Sequence, residues 1–488
     1  MPQICTTMLR AISANILALS ANVTAGAQPE NTDWSALARS DIEAMHAATM
    51  AHHPGAIDTE NPEFLTNSRS ALTRGLSFAG SVETQAGYAY ALRAYAAAYR
   101  DGHFGVSPET GDAPHYWPGF IATRRGDAWW VASKTSDTQS LNGMRITRCD
   151  GRSPDDWMRE VIFGFGGNPD LTSDWSRRAA RTFLERANPF VSRPQSCVFQ
   201  SQDESIEMSL EWRETAYDDW SQLVAETQPR AEFGIRPFGE NSYWIGIPTF
   251  GPRGDDLQSM QDMIAALREQ AETMQQADVI VVDVRGNNGG ASSWGRDIVD
   301  AIWGEAYAHY TRPPSSIGVD YRISDDNITH AQVIIDQATA EDRMRVAAHF
   351  EVVLSGMLAA RDRGEGFFEQ RWDPPEEPVE ASNPVQARVF FLTDGACGSA
   401  CLDFADKMLA LDRVLHIGAE TYADSAYMEN RPVALPSGFA RMGLPIKVYR
   451  GRARVSGQTY VPDILYAEAD WSTEALQAWV TRLAQAED

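Results

Sequence analysis

Two glycine-rich turns, Arg285-Gly286-Asn287-Asn288-Gly289-Gly290 and Thr393-Asp394-Gly395-Ala396-Cys397-Gly398-Ser399, each follow a run of apolar and β-branched residues. Loops at the carboxyl ends of parallel strands are where α/β proteins assemble their sites. Ser399 stands at the start of a helical pattern, where unpaired N–H groups and the helix dipole stabilise a developing negative charge. Such a position suits a nucleophile and an oxyanion together. An isolated Gly-Ser before a helix is ordinarily a capping serine, so the surrounding elements must decide between the two. Ser292 and Ser293 read as turn or cap hydroxyls. Gly289 and Gly290 fit a tight turn or a phosphate cradle, but no GxxxxGK or complete GxGxxG follows the strand. Neither GxSxG nor HExxH occurs, which argues against an α/β-hydrolase elbow and a zinc protease.

The elements that must position these turns form a βαβ pattern. A strand over 243–247, an amphipathic helix over about 255–274 and a buried strand over 279–284 predict parallel pairing. A second crossover follows, with a strand over 387–392, a helix over 399–411 and a strand over 414–417. Between the crossovers an insertion, 305–386, holds one helical stretch near 338–360 and an acidic, proline-rich loop over 373–384; it reads as a cap or lid, or as a surface excursion. Upstream, 33–99 has helical periodicity broken at His52-His53-Pro54-Gly55, and 113–230 has short β-rich runs. Within the latter, Gly143-Met144-Arg145-Ile146, Cys149-Asp150-Gly151-Arg152 and the following Asp-Trp-Met resemble the strand, turn and helix of a PDZ domain. The expected order is a leader at 1–27, a helical domain at 28–112, a β-rich PDZ-like module at 113–230 and an α/β core at 240–488.

Taken together, IVVDVRGNNGG at 280–290, VFFLTDGACGSACLDFA at 389–405 and VPDILY at 461–466 resemble the tail-specific, or C-terminal processing, serine peptidases. The wider group includes the tricorn core and the interphotoreceptor retinoid-binding repeats. HHPG at 52–55 and RDGHFG at 100–105 look like the helical domain of the same superfamily. The resemblance implies a multidomain α/β fold with a crotonase-like (Clp-like) core. It implies Ser399 as nucleophile, with backbone donors at Ala400 and in the glycine pair Gly289 and Gly290, Gly289 first. The best-known branch takes its base from a lysine in a Gly-Lys-Gly turn, but here the stretch reads Gly418-Ala419-Glu420-Thr421-Tyr422-Ala423-Asp424-Ser425. The only lysines are Lys134, Lys407 and Lys447, and Lys407 lies down the nucleophile's helix, away from its N-terminus. Tricorn-like relatives use a histidine, which maps to His103, a residue type with a pKa suited to a base near neutrality. The glutamate that orients it in tricorn falls near Ser456 and is missing. Glu429 ranks first as its substitute because Tyr427-Met428-Glu429 ends the loop that replaces the lysine turn; Glu420 and Asp424 are the others. His115 and His330 carry no motif.

The chain has 488 residues, with 42 Lys plus Arg against 67 Asp plus Glu and a net charge of −25. That balance argues against partners bound through phosphate neutralisation, so neither nucleic acid nor an anionic membrane surface is expected. Arg10, the apolar stretch 11–20 and Ala25-Gly26-Ala27 read as a cleaved export signal. No other apolar run reaches transmembrane length, so the expectation is a periplasmic or secreted protein without an integral span. Export would leave Cys149, Cys197, Cys397 and Cys401, whose most local pairing is Cys149 with Cys197 and Cys397 with Cys401, the alternative being free buried thiols. A cysteine nucleophile at 397 or 401 is a lesser option. The function expected is a metal-independent serine peptidase without a cofactor, acting on peptides or proteins through an acyl-enzyme. The alternatives are a non-catalytic peptide or hydrophobic-ligand binder on the same scaffold, or another hydrolase or lyase. Nothing in the sequence specifies an oligomeric state.

Overall fold

A computed structural model describes residues 32–486 except 110–112, 133–134, 136–137, 229, 314–315 and 374–376. The expected export signal lies outside the described residues. Near the N-terminus, three helices run over Trp34–His52, Phe64–Ala79 and Gln85–Ala97. The first begins where the Asp33 carboxylate accepts the Ala36 N–H at 2.9 Å, an N-cap that satisfies one of the helix's orphan donors. Its buried stripe, Trp34, Ala38, Ile42 and Met45, has helical spacing. These helices share one hydrophobic cluster with Leu435, Ala440, Met442 and Leu444 near the other end of the chain. Buried Asp41 fastens the contact, accepting from Tyr88 Oη at 2.5 Å and from the Ser437 N–H at 3.0 Å.

The β-rich region is a five-stranded antiparallel meander, Ile121–Arg125, Ala128–Ala132, Arg145–Cys149, Ser196–Gln200 and Ser205–Ser209. Its own core includes Phe120, Trp129, Ile146, Trp157, Phe183 and Phe199. Cys149 and Cys197 are register partners on adjacent strands and form a disulfide.

The α/β core is a six-stranded sheet in the order Ile464–Leu465, Val414–Gly418, Arg388–Thr393, Val279–Asp283, Ser242–Gly246 and Gly234–Pro237. All neighbours are parallel except the edge strand Gly234–Pro237. Strand alternation explains the unbroken apolar runs. Ile280, Val282, Val389 and Phe391 face the helices Asp255–Glu269, Ser292–Trp303 and Ala400–Met408, whereas Val281, Phe390 and Leu392 face the C-terminal helix Thr473–Gln485. Because the strand order advances in one direction, both glycine-rich turns emerge side by side at the carboxyl edge.

The insertion is built into a second sheet. Its strands Gly318–Arg322 and Phe367–Arg371 join a second sheet with Gly105–Pro108, Ala440–Arg450 and Tyr427–Ala434. Two helices, Asp325–Ala340 and Met344–Asp362, pack on that sheet through Ile328, Ile335, Val353 and Met357. The single helical stretch expected near 338–360 is divided by a turn in which Asp342 has φ 55°.

Candidate active site

Ser399 connects the strand Arg388–Thr393 to the helix Ala400–Met408 with φ 55° and ψ −125°. A non-glycine residue in that region is strained and persists only where its surroundings over-determine it. Three contacts do so. Asp394 accepts from Ala396 N–H through one carboxylate oxygen and from Gly286 N–H through the other, both at 3.0 Å, which ties the two glycine-rich turns together. The Cys397–Cys401 disulfide spans the serine with its Cα atoms 5.2 Å apart. Finally, the Ser399 N–H donates to Asp424 Oδ1 at 3.2 Å. The hydroxyl makes no capping hydrogen bond, so Ser399 does not cap its helix, and both flanking cysteines are buried in a disulfide, which leaves no thiol there to act as nucleophile.

The glycine pair divides its work differently from the sequence expectation. The Gly289 N–H donates to Asn287 Oδ1 at 3.0 Å, so it is not a free donor. What Gly289 contributes is the absence of a side chain: a Cβ there would stand 2.7 Å from Ser399 Cβ and 3.0 Å from the Ala400 nitrogen. At Gly290 a Cβ would collide with the Phe250 carbonyl at 2.0 Å, because Phe250 and Gly290 form a parallel bridge. The N–H groups of Gly290 and Ala400 have no hydrogen-bond acceptor among the described residues. Behind this turn, Arg285 and Asp283 form a fully buried ion pair, and the guanidinium continues to Trp471 O at 2.5 Å and Thr473 Oγ1 at 2.9 Å. That pair anchors the turn and does not reach the serine's hydroxyl.

His103 precedes the strand Gly105–Pro108, whose pairing of Gly105 with Gly443 fixes the loop against the second sheet. Asp101 Oδ1 accepts the His103 N–H at 2.8 Å and lies 3.8 Å from Nδ1. Asp424 is within electrostatic reach of the same imidazole. His103 Nδ1 and Asp424 Oδ2 are both buried with no hydrogen-bond partner among the described residues. Burial pushes both carboxyls, Asp101 and Asp424, above the ordinary carboxylate range; His103 opposes that rise in each. Asp424 therefore accepts the serine's backbone N–H and lies within electrostatic reach of the histidine.

Glu429 does not meet His103. Its carboxylate pairs with Lys447 Nζ at 3.1 Å on the neighbouring strand and faces Tyr321, His330 and His349 of the insertion. Its backbone sits at φ 64° where strand pairing skips a residue. Glu420 accepts from Thr459. Lys407 lies among Asp300, Asp403 and Asp406, with burial lowering its pKa. His53, in the HHPG motif, is a buried packing residue: Nδ1 accepts from Gly55 N–H at 2.9 Å, the ring stacks on Phe64 at 4.6 Å, and burial pushes its pKa down to about 3.

One residue escaped sequence reasoning altogether. Tyr422 lies between the two loops: a Cβ on Gly102 would come within 2.9 Å of its hydroxyl, and one on Gly398 within 3.2 Å of its ring. Its N–H donates to Cys397 O at 3.0 Å, and the Arg177 guanidinium covers its ring at 4.5 Å. Two glycines flanking the candidate nucleophile and base on distant segments were the available signal. Beside Ala396 and Asn288 opens a cleft of about 540 Å³, bounded across from the core by Arg125 and Arg177 of the β-rich region.

A strained serine on a strand-to-helix turn, with an adjoining glycine turn and unclaimed N–H groups, is an arrangement able to support serine-hydrolase chemistry. Residues 244–464 match the family model for peptidase family S41, so the α/β core is similar to that family. The whole fold is similar to that of mature CPAF, with TM-score 0.62, 13% identity and coverage of 93% of this chain and 99% of that one. Mature CPAF complexed with lactacystin gives TM-score 0.61 and 13% identity over 93% of this chain and 100% of that one. At that identity the likeness is one of fold. No curated protein matches the chain.

Proposed function

We propose that the protein is an exported serine peptidase that cleaves peptide bonds through an acyl-enzyme on Ser399. Ser399 Oγ attacks the scissile carbonyl carbon, and His103 takes the hydroxyl proton. The carbonyl oxygen, now negative, is held by the Gly290 and Ala400 N–H groups, which have no competing acceptor among the described residues; each aimed donor contributes about 3 kcal/mol. Collapse expels the amine, which receives the proton from His103. Water then attacks the acyl-enzyme by the same route, and the acid is released. Asp424 takes the orienting role expected of Glu429: its partnerless Oδ2 and the partnerless His103 Nδ1 are reciprocal, and one hydrogen bond would satisfy both. Asp101 holds the backbone of the histidine. These steps use protein groups alone.

The observation that carries this reading is the strained, uncapped Ser399 beside two unclaimed N–H groups, with its own N–H held by Asp424, a carboxylate within electrostatic reach of His103. In the same reading the core is crotonase-like, and the β-rich meander is a PDZ-like module that presents peptide to the cleft beside Ala396. Periplasmic or secreted residence follows from the leader pattern at 1–27 and accords with two disulfides. The test is labelling of the purified protein with a fluorophosphonate probe, followed by mapping of the labelled residue. We expect label on Ser399, none in Ser399→Ala and little in His103→Ala. A folded wild-type protein that stays unlabelled would falsify the peptidase reading.

A further inference from the structure

Remote from Ser399, a cavity of about 180 Å³ lies where the helix Gln85–Ala97 meets the β-rich region. Arg93 enters it from that helix, Arg181 from the 3-10 segment Ala179–Phe183, and Arg186 from the loop that follows. No carboxylate among the described residues pairs with any of the three. The one acid on the wall, Glu185, is engaged elsewhere, accepting from Ala187 N–H at 2.6 Å and lying 3.7 Å from Arg193. The guanidinium groups repel one another: burial lowers the pKa values of Arg93 and Arg181, Tyr90 and Tyr217 respectively oppose that fall, and the neighbouring arginines add to it. Three of the residues that line the cavity carry a buried polar atom without a partner among the described residues: Arg186 Nε, Thr182 Oγ1 and Asn188 Nδ2. Buried polar groups ordinarily find partners, and these three residues line one cavity where the local charge is positive. In a chain with net charge −25 such a cluster is not a sample of the average surface.

The lining also includes the apolar side chains of Ile162, Phe165, Leu184 and Trp212. Planar guanidinium forks match the oxygens of a phosphate group in pairs, and apolar side chains in the same lining match an organic body.

We propose that this cavity is a binding site for a phosphate monoester, with the phosphate on Arg93, Arg181 and Arg186 and the organic group against Ile162 and Trp212. The site joins the helical segment to the β-rich region and is independent of the peptidase reading. Its test is calorimetric titration of the mature chain at fixed ionic strength with phenyl phosphate and, separately, with inorganic phosphate. Saturable binding of phenyl phosphate at one site is expected, weakened at least about tenfold in the double variant Arg93→Gln/Arg186→Gln. Inorganic phosphate should bind more weakly than the ester; equal affinity would overturn the organic part and leave free phosphate as the ligand. Absence of saturable binding to the wild-type chain, or undiminished binding by the folded double variant, overturns the site. If the double variant lacks a native circular dichroism spectrum, Arg186→Lys serves instead. It keeps the charge and deletes the buried Nε donor, and it should weaken binding several-fold.

Discussion

Asp424 lies in the loop and Glu429 in the strand that follows it, yet one is within electrostatic reach of His103 and the other pairs with Lys447 across a strand pair. An acid that already has a buried cationic partner is poorly placed to orient a second one, whereas a buried carboxylate oxygen without a donor is costly until it finds one. Asp424→Asn is accordingly expected to lower kcat about 100-fold with little change in KM, and Asp101→Asn about tenfold. Glu429→Gln should leave kcat within about twofold. Rates that fall with Glu429→Gln and not with Asp424→Asn would reverse the assignment. At Gly289 the expected fault is steric. Gly289→Ala places a methyl against Ser399 and the Ala400 nitrogen at φ 99°, and should depress probe labelling by about 100-fold or more while the fold survives. Labelling at the wild-type rate would show that the space in front of Ala400 is not the oxyanion site.

At the scale of elements, the two disulfides hold unlike things. Cys149–Cys197 joins adjacent strands and closes a loop with sequence separation 48, whereas Cys397–Cys401 closes one with separation 4. Chain-entropy reasoning assigns about 4 kcal/mol to the former and about 2 kcal/mol to the latter. Urea denaturation of the paired Cys→Ala variants should rank them in that order. The smaller staple should matter more for chemistry: Cys397→Ala/Cys401→Ala is expected to slow Ser399 labelling several-fold, and Cys149→Ala/Cys197→Ala is not. Equal effects on labelling would mean that the short staple does not hold the strained turn. The pairing was legible as the most local choice. The two-helix insertion was not, because its strands acquire meaning only beside Ala440–Arg450.

For the molecule as a whole, buried histidines set the acid limit of stability. Burial holds His53 at about 3 and His416 at about 4. Both folded values lie below the ordinary 6.5, so the stability they contribute is complete above that value and is lost as pH falls from there toward 4 and 3. The buried carboxyls run the other way: Asp406, raised to about 6, contributes below the ordinary 3.8 and loses that contribution as pH rises through 6. Folding free energy should therefore fall by a few kcal/mol between pH 6.5 and pH 4. His53→Phe, which keeps a ring between Phe64 and Tyr427, should flatten that slope; parallel slopes for variant and wild type would remove His53 from the account. His53 also shows how the ends of the chain are joined. It packs against Phe64 of the N-terminal helices and Tyr427 of the second sheet, and the neighbouring cluster joins Ile42 and Tyr95 to Leu444.

The sequence alone determined what depends on neighbours along the chain. Apolar runs at 279–284 and 387–392 require strands covered on both faces. Gly289, Gly290 and the serine turn require their backbone shapes, and Ser399 must open a helix. Those features rest on local sterics and on periodicity, which a linear text carries in full. Only the tertiary structure decided that Asp424 and not Glu429 lies within electrostatic reach of His103, that Asn287 consumes the Gly289 N–H, and that Tyr422 spaces the two loops. His103 and Asp424 come from segments far apart in the chain, and their meeting depends on strand Gly105–Pro108 pairing with Ala440–Arg450. A hydrogen-bond partner is chosen by distance in space, and no pattern of residue types records that distance.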